Sequence, residues 1–481
     1  MSLTASSISA SALLGIPTDV YLTGSMYWWI IVAAGLSIPV SVYVYLPFYH
    51  QLQLDGSIHQ GGIKAVVWTA TFQLCMMYGS IIIVLVKGVM LVGGLENVFL
   101  LNANSSRIEF FNFDFDPTTR HTVWSLSIGG FFLFTSMYAT DQVFVQRCLA
   151  LPTLHKARIS QCINFLLLAG IISLCCLTGL VTYAFYFDCA PLIAEIVKNS
   201  NEIFPLFAIQ TIRKFPGLPG IFATGIFSGV TSILSSNLHA VSLVVLEDLI
   251  RPSFPTMRDS KASLVNKMTV IIFGCVTFGV AIYFAKFQIS LDSSLSFLGA
   301  MAGIILGVFS LGMFVPWSNS TGAGFGAIIS FAIMMLLGIS TQIAKTNNLI
   351  TNDQMKLLIT DNCPSFNSTD IGSPSVHFFI QKTDAFVLLR ISYLWYTVLS
   401  VVIVLIIGTI GSILSEPQDP AKLNPKLLYR VNHNPLLNKA ALQPSDETDG
   451  ATVIRRQRNG ILLWEIPRRL SPIIEVNLPD T

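Results

Sequence analysis

The sequence is poor in charged residues. Lys, Arg, Asp and Glu make up 11% of its 481 residues, whereas water-soluble domains carry about a quarter. Hydrophobic residues make up 53%. So few charges cannot cover the surface of a soluble protein of this length, which excludes a soluble enzyme, a nucleic-acid-binding protein and a disordered chain. The net charge of +2 is also too small to indicate a polyanionic partner.

The motifs of several enzyme classes are missing as well. The sequence has no Gly-rich phosphate loop with Lys, no nucleophile elbow and no metal-ligand spacing among its eight cysteines. No enzymatic function and no organic cofactor is therefore expected. A carrier driven by an ion gradient, or a passive pore, is favoured over a pump driven by ATP.

Long apolar stretches dominate the first 415 residues. A bilayer core about 30 Å thick needs roughly 20 mostly apolar residues per helix. The sequence therefore predicts an all-α integral membrane protein with about 10 transmembrane helices, at residues 3–23, 27–48, 72–95, 123–148, 160–186, 217–249, 266–287, 294–315, 322–344 and 388–414.

The composition changes after residue 415. The chain has 28 basic and 26 acidic residues, and 17 of these charged residues lie in 416–481. The same segment holds eight of the 22 prolines. We therefore predict a transmembrane domain at 1–415 and a cytoplasmic, largely disordered tail at 416–481.

The basic loops predict the orientation in the membrane, because cytoplasmic loops carry an excess of Lys and Arg. Segments 147–158 and 251–267 and the tail are basic. This arrangement predicts a multi-pass plasma membrane protein with both termini in the cytoplasm. Loops 96–122, 187–216 and 345–387 are then extracellular.

Two kinds of modification site fall in the predicted extracellular loops. Asn104 and Asn367 begin glycosylation sequons there. Cys189 and Cys363 also lie on this oxidising side, where a disulfide between them would persist. Two free thiols remain an equal alternative, since sequence gives no distance between them.

Two stretches are unusually rich in hydroxyl groups. The first contains Gly15 and Pro17, which we expect to interrupt its helix. The sixth carries hydroxyls three and four residues apart, at Ser228, Thr231, Ser232, Ser235, Ser236 and Ser242. Interrupted helices with free carbonyls hold sodium in transporters, although close helix packing also uses such residues. The hypothesis is that the two spans are both interrupted and meet to hold a monovalent cation, but from the residues alone packing is an equal alternative for the first stretch and the favoured one for the sixth.

Six strings together resemble the sodium/solute symporter family, in particular its branch of monocarboxylate, multivitamin and iodide cotransporters. They occur in family order and reach from residue 2 to about 413. The strings are SLTASSISASALLGIPTDVYLTG, GGIKAVVWTATFQ, FDPTTRHTVW, TDQVFVQR, FSGVTSILSSNLHAVSLVVLEDLIRP and LGVFSLGMFVPWSNSTGA.

The resemblance implies a five-plus-five inverted-repeat fold of the leucine-transporter type, with sodium and solute bound where the first and sixth core helices are broken. Carried over by position, sodium, the co-transported ion, would be held by backbone oxygens near Ala5, Ile8 and Gly229 and by the Ser232 hydroxyl. The solute cavity would be lined by Ser9, Ser11, Ala12, Tyr138 and Gln142.

The sequence departs from the family pattern in three places. Ile233 stands where relatives commonly have a second Ser or Thr ligand, which predicts a weaker or altered sodium site. Ala70 replaces the Asp of the family's W-T-D-x-x-Q pattern, although Gln73 is kept. Relatives place two more helices where this chain has only residues 51–62, and a further helix before Met1. The resemblance therefore predicts an incomplete version of the repeat fold.

The resemblance implies the leading functional hypothesis, which is sodium-coupled uptake of a small organic anion, either a monocarboxylate or an anionic vitamin such as biotin or pantothenate. The alternative is a truncated, transport-inactive isoform that assembles with or regulates a full-length relative in the bilayer. A homo-oligomer, and a channel or solute sensor that uses the same cavity, also remain open.

Overall fold

A computed structural model describes residues 1–51, 60–254, 257–284, 291–347 and 386–415, with 349, 356, 358 and 418 as isolated positions. Within these residues all regular secondary structure is helical. The predicted all-α class is therefore confirmed. The tail at 416–481 lies outside the described residues apart from Gln418, as do Asn367 and Cys363.

The α-helices are numbered in chain order, and short 3₁₀ or π-helical turns precede or extend several of them. Their bounds are α1 Ser2–Ser7, α2 Ala10–Thr23, α3 Ile30–Val40, α4 Leu46–Gln51, α5 Gln60–Val92, α6 Leu95–Asn104, α7 Gly130–Ala139, α8 Gln142–Leu149, α9 Leu154–Phe185, α10 Ile203–Ile212, α11 Leu218–Val244, α12 Asp259–Phe284, α13 Leu291–Phe314, α14 Ser320–Thr346 and α15 Trp395–Leu414.

Eight helical segments among the described residues are long and apolar enough to cross a membrane. They are Ser25–His50, Val67–Val92, Leu154–Phe185, Leu218–Ile250, Ser260–Tyr283, Ser294–Phe314, Ser320–Lys345 and Trp395–Leu414. Each coincides with one of the predicted stretches. The two other predicted stretches, 3–23 and 123–148, are helices broken in mid-course, into α1 and α2 and into α7 and α8.

The first helix breaks at a different place from the one that Gly15 and Pro17 predict. Both residues lie inside α2, which runs without interruption from Ala10 to Thr23. The prediction of a break there is wrong, because a proline in a helix removes one hydrogen bond but need not end the helix when packing supports it. Here α9 supplies that packing. Its Gly179 lies so close to α2 that an added methyl group would be 2.7 Å from the Pro17 carbonyl oxygen.

The hydroxyl-rich sixth stretch is not interrupted. α11 is helical from Leu218 to Val244 and continues as a π-helical turn through Ile250. The second broken span is instead the one that contains TDQVFVQR, where Thr140 and Asp141 separate α7 from α8. The hypothesis that the two hydroxyl-rich spans are both interrupted is therefore wrong for the second of them.

Glycines allow α13, α14 and α15 to pack closely. Gly299, Gly303 and Gly307 face α15, and a methyl group on Gly303 would lie 2.4 Å from the carbonyl oxygen of Thr397. Such spacing by four is the usual device for bringing membrane helices together. The spacing of the three glycines by four predicts this packing role from the sequence, and the structure shows it.

The Gly303→Ala variant tests this close contact. Its methyl group would overlap the backbone of α15, and we expect unfolding to need about 1–3 kcal/mol less free energy. Gly312→Ala is the matched control on the same helix, because that methyl group would meet no heavy atom within 4 Å. Thermal unfolding of the two purified variants checks the prediction, and equal midpoints would contradict it.

Candidate functional site

The first break is built from three consecutive residues. Ser7 ends α1, and Ile8 is extended, with φ −107° and ψ 114°. Ser9 then caps α2 by accepting a hydrogen bond from the Ala12 amide at 3.1 Å. Terminal carbonyls of a helix lack partners within it, and so do the first amides of the next helix. The break thus offers acceptor oxygens from α1 and donor amides from α2.

One face of α11 lies against this break. A methyl group on Gly229 would be 3.1 Å from the Ala10 nitrogen, at the start of α2. Two turns further along, the Ser236 hydroxyl lies 3.1 Å from the Ser6 hydroxyl, near the end of α1. Residues 229, 232 and 236 share a helix face. Ser232 therefore lies opposite the segment where α1 gives way to α2.

Ser232 carries a buried hydroxyl that has no hydrogen-bond partner among the described residues. The residue is 1% exposed, and its Oγ contacts no donor or acceptor. Its carbonyl oxygen, by contrast, accepts from the hydroxyls of Ser235 and Ser236 at 3.2 and 2.8 Å. An unpaired buried polar group costs about 1–3 kcal/mol. Such a group beside a helix break makes this position a candidate ligand site.

The four predicted sodium ligands therefore belong to one neighbourhood. Ala5 and Ile8 lie at the end of α1, and both are buried. Gly229 and Ser232 lie on the face of α11 that meets this break at Ala10 and Ser6. The available atoms are neutral carbonyl and hydroxyl oxygens, which suit a hard monovalent cation. Among the described residues no group of three or more His, Cys, Asp or Glu is placed to hold a metal ion.

The predicted solute residues at the first break are accessible. Ser11 is exposed, and Ser9 and Ala12 are partly exposed. The hydroxyls of Ser9 and Ser11 lie 2.7 Å apart at the N-terminus of α2. The positive end of a helix dipole attracts anions. This end of α2 therefore combines free amides, two hydroxyls and a favourable field.

The second break contributes to the same region. Asp141 caps α8 by accepting from the Val143 amide at 2.8 Å, and Gln142 is the first residue of that helix and partly exposed. α8 packs against both α1 and α11. The two breaks are thus joined through α8, and the role of Gln142 in solute binding stays a prediction.

Tyr138 has a different environment from the other predicted solute residues. It is 2% exposed, and its ring lies 5.8 Å from that of Phe134 and 5.6 Å from that of Phe144. The structure places it in the packed core, apart from the accessible hydroxyls of Ser9 and Ser11. Its role in solute binding stays a prediction.

The departures from the family pattern also have structural counterparts. Ala70 is buried and packs beside Ala5 in an apolar cluster with Leu74. Gln73, on the same helix, donates to the Thr231 hydroxyl at 3.0 Å and ties α5 to α11. Ile233 adds no oxygen next to Ser232. The site therefore contains fewer polar groups than the family pattern implies.

Sequence reasoning missed Arg147. Its guanidinium donates to the Ser2 carbonyl and to the Ser6 and Ser236 hydroxyls, at 2.5, 2.6 and 2.7 Å. The residue ends the string TDQVFVQR but gave no signal of its own, because its partners are 145, 141 and 89 positions away.

A buried ion pair at the far end of α2 was also missed. Asp19 is 4% exposed and pairs with Arg120 of the loop before α7. His121 lies 3.7 Å from the same carboxylate and 3.1 Å from the hydroxyl of Tyr393, just before α15. An acidic residue inside an apolar helix was the available signal.

Two of the four predicted modification sites, Asn104 and Cys189, lie among the described residues. Asn104 is exposed at the end of α6. Cys189 takes part in a disulfide, but its predicted partner Cys363 lies outside the described residues, so the pairing stays a prediction. A third sequon begins at Asn319, whose side chain caps α14 by accepting from the Gly322 amide at 2.7 Å.

Comparison with known proteins agrees with this geometry. The sequence model of the sodium:solute symporter family matches residues 58–330. The chain belongs to the sodium:solute symporter family. Families of this kind are transporters, so the expectation that the protein is not an enzyme is confirmed, as is its identity as a multi-pass membrane protein.

Individual relatives are similar over much of the chain. The sodium-coupled monocarboxylate transporter 1 of Xenopus laevis is 32% identical over 405 residues, covering 82% of this chain and 62% of the relative. The human sodium/iodide cotransporter is 32% identical over 391 residues, covering 77% of this chain and 60% of the relative. The chain therefore spans about three fifths of the length of these relatives.

A solved structure supports the fold. The substrate-bound outward-open state of a Na+-coupled sialic acid symporter aligns with a TM-score of 0.61, covering 87% of this chain and 89% of that chain at 19% identity. At this level of identity the similarity concerns the fold alone.

The ion pair of Asp19 provides a test of the site's framework. Asp19→Asn leaves Arg120 without its buried counter-charge, and we expect a loss of about 3–5 kcal/mol in the free energy of unfolding. Glu247→Gln is the matched control, because it removes one carboxylate from an exposed pair with Arg251 worth about 0.3–0.5 kcal/mol. Thermal unfolding measures both, and a similar small shift in each variant would contradict the assignment.

Proposed function

We propose that this chain carries a small organic anion across the plasma membrane together with sodium. The observation that supports the proposal most strongly is the buried, partnerless hydroxyl of Ser232 opposite the break between α1 and α2. The chain's family and its similarity to sodium-coupled transporters make sodium the expected cation.

Sodium would bind between the end of α1 and the facing side of α11. The backbone oxygens of Ala5, Ile8 and Gly229 and the hydroxyl of Ser232 are its proposed ligands. Binding would tie the end of α1 to the middle of α11 at the break. A cation held there would raise the affinity for the anion by a coupling free energy of about 1–3 kcal/mol.

The anion would bind at the start of α2, beside the cation. The Ser9 and Ser11 hydroxyls and the first amides of α2 are the proposed contacts, with Ala12 and Gln142 lining the same space. A carboxylate suits this end of a helix, because the amides and the helix dipole both favour negative charge. The carboxylates of monocarboxylates and anionic vitamins fit this description, and the relatives transport monocarboxylates or iodide by name.

The orientation that we propose places segment 147–158 in the cytoplasm. We call the side of the molecule that carries this segment the basic side. The loop after α6, with Asn104, is on the opposite side and would then face the extracellular medium. Uptake would proceed from the Asn104 side to the basic side.

Replacement of Ser232 tests the cation site. Ser232→Ala removes one proposed ligand, and we expect the sodium concentration that gives half-maximal uptake to rise about tenfold or more. Ser235→Ala is the matched control, since its hydroxyl also donates to the Ser232 carbonyl but lies outside the proposed ligand set. Uptake of labelled monocarboxylates, with choline replacing sodium as the blank, gives both values.

Two results would contradict the sodium proposal. One is uptake that is indifferent to replacing sodium with choline. The other is an unchanged sodium requirement in Ser232→Ala at equal surface abundance.

Glycosylation at Asn104 tests the orientation. If the loop after α6 is extracellular, the expressed protein carries a glycan there, and Asn104→Gln removes a mobility shift that a glycosidase also removes. Asn367→Gln should remove a second shift. Modification of Asn319 in place of Asn104 would reverse the proposed orientation.

A second function is favoured by one observation. Only residues 52–59 separate α4 from α5, where the resemblance to the family predicts two further helices. A chain of this kind can act as a transport-inactive subunit that assembles with a full-length relative. Co-expression discriminates the two functions, because the subunit alters the relative's uptake or abundance while showing no sodium-dependent uptake of its own.

A further inference from the structure

Arg147 connects three helices at the basic side of the candidate site. From α8 its guanidinium donates to the Ser2 carbonyl at 2.5 Å and the Ser6 hydroxyl at 2.6 Å, both on α1. It also donates to the Ser236 hydroxyl of α11 at 2.7 Å. The two hydroxyls are themselves 3.1 Å apart. One planar group therefore joins α1 to α11.

The contacts of Arg147 lie next to the proposed cation site, toward the basic side. Ser236 is one helical turn beyond Ser232, and Ser6 directly follows Ala5 in α1. The guanidinium thus lies one turn from the partnerless hydroxyl, on the side away from α2. A cation that leaves the site between α1 and α11 toward the basic side must pass this fixed positive charge, which repels it.

The two ends of the broken helix are held by different interactions. At the far end of α2, Asp19 is buried and ion-paired with Arg120. At the α1 end, Arg147 contacts neutral oxygens, and no carboxylate among the described residues lies within 4 Å of its guanidinium. Asp141, the acidic group nearest in sequence, accepts from the Val143 amide and attracts Arg147 only from a longer distance. Water can replace neutral oxygens around a guanidinium, whereas separating a buried ion pair leaves two charges unpaired.

We propose that Arg147 is a latch that closes the seam between α1 and α11, and that its release opens the cation site to the basic side while α2 stays in place. The role of the latch rests on the proposed function, whereas the contacts that form it are independent of that proposal. Arg147 is a positioning residue, since it holds the helices that carry the proposed ligands rather than the cation itself.

Hydrogen–deuterium exchange of the full chain in lipid nanodiscs tests the latch without requiring transport. Arg147→Gln should speed exchange in the peptide that spans α1 and the break by about tenfold, and Ser236→Ala should do so to a smaller extent. Exchange in α2 beyond Leu14 and in α15 should not change in either variant.

Two variants serve as matched controls. Arg158→Gln removes a guanidinium from the same basic segment, where it lies 5.0 Å from the ring of Tyr43 and makes no hydrogen bond to α1 or α11 within the described part of the chain. Ser235→Ala removes the neighbouring hydroxyl of α11, which bonds the Ser232 carbonyl as Ser236 does but does not contact Arg147. Both should exchange like the parent in the α1 peptide.

The outcomes separate the latch from the proposed function. Unchanged exchange in α1 of Arg147→Gln overturns the latch, and so does faster exchange throughout the chain, which would mean that Arg147 only supports the fold. Added sodium should slow exchange at the break in the parent chain. If sodium has no effect while Arg147→Gln still speeds exchange in α1 alone, the latch stands and the sodium proposal fails.

Discussion

The contact between α11 and the break in the first helix is the constraint on which the site depends. Gly229 lets the two helices approach so closely that a methyl group on its Cα would lie 3.1 Å from the Ala10 nitrogen, which is tighter than an ordinary contact. This approach buries the Ser232 hydroxyl beside carbonyls that α1 cannot satisfy. A larger residue at position 229 would separate the helices, and the oxygens would then face water or lipid rather than each other.

Hydropathy was sufficient to locate the membrane helices, but it did not locate the breaks. Eight predicted stretches are continuous apolar helical segments in the structure, because length and composition alone determine which segments can span a bilayer. The true breaks are marked by Ser9 and Asp141, two side chains that cap the helices following them. Both capping residues can be read from the sequence, whereas Gly15 and Pro17, on which the predicted break rested, lie inside a continuous helix.

Contacts between distant residues account for what the sequence could not show. The packing of α13 against α15 followed from glycines spaced by four, because that pattern lies within one helix. The partners of Arg147 and Asp19 come from other helices and from a loop, and no local pattern predicts them. The contrast between them is informative: an ion pair fixes α2, and neutral oxygens hold α1. A broken helix with one fixed half and one releasable half is suited to exposing a site to one side of the membrane at a time.

Equilibrium binding of radioactive sodium to the purified chain, with no solute present, tests the central claim most directly. The account predicts saturable binding in the parent chain, unaffected by choline and greatly weakened in Gly229→Val, which forces α11 away from the start of α2. Binding that does not saturate, or equal affinity in the parent and in Gly229→Val, would contradict a cation site at this helix break.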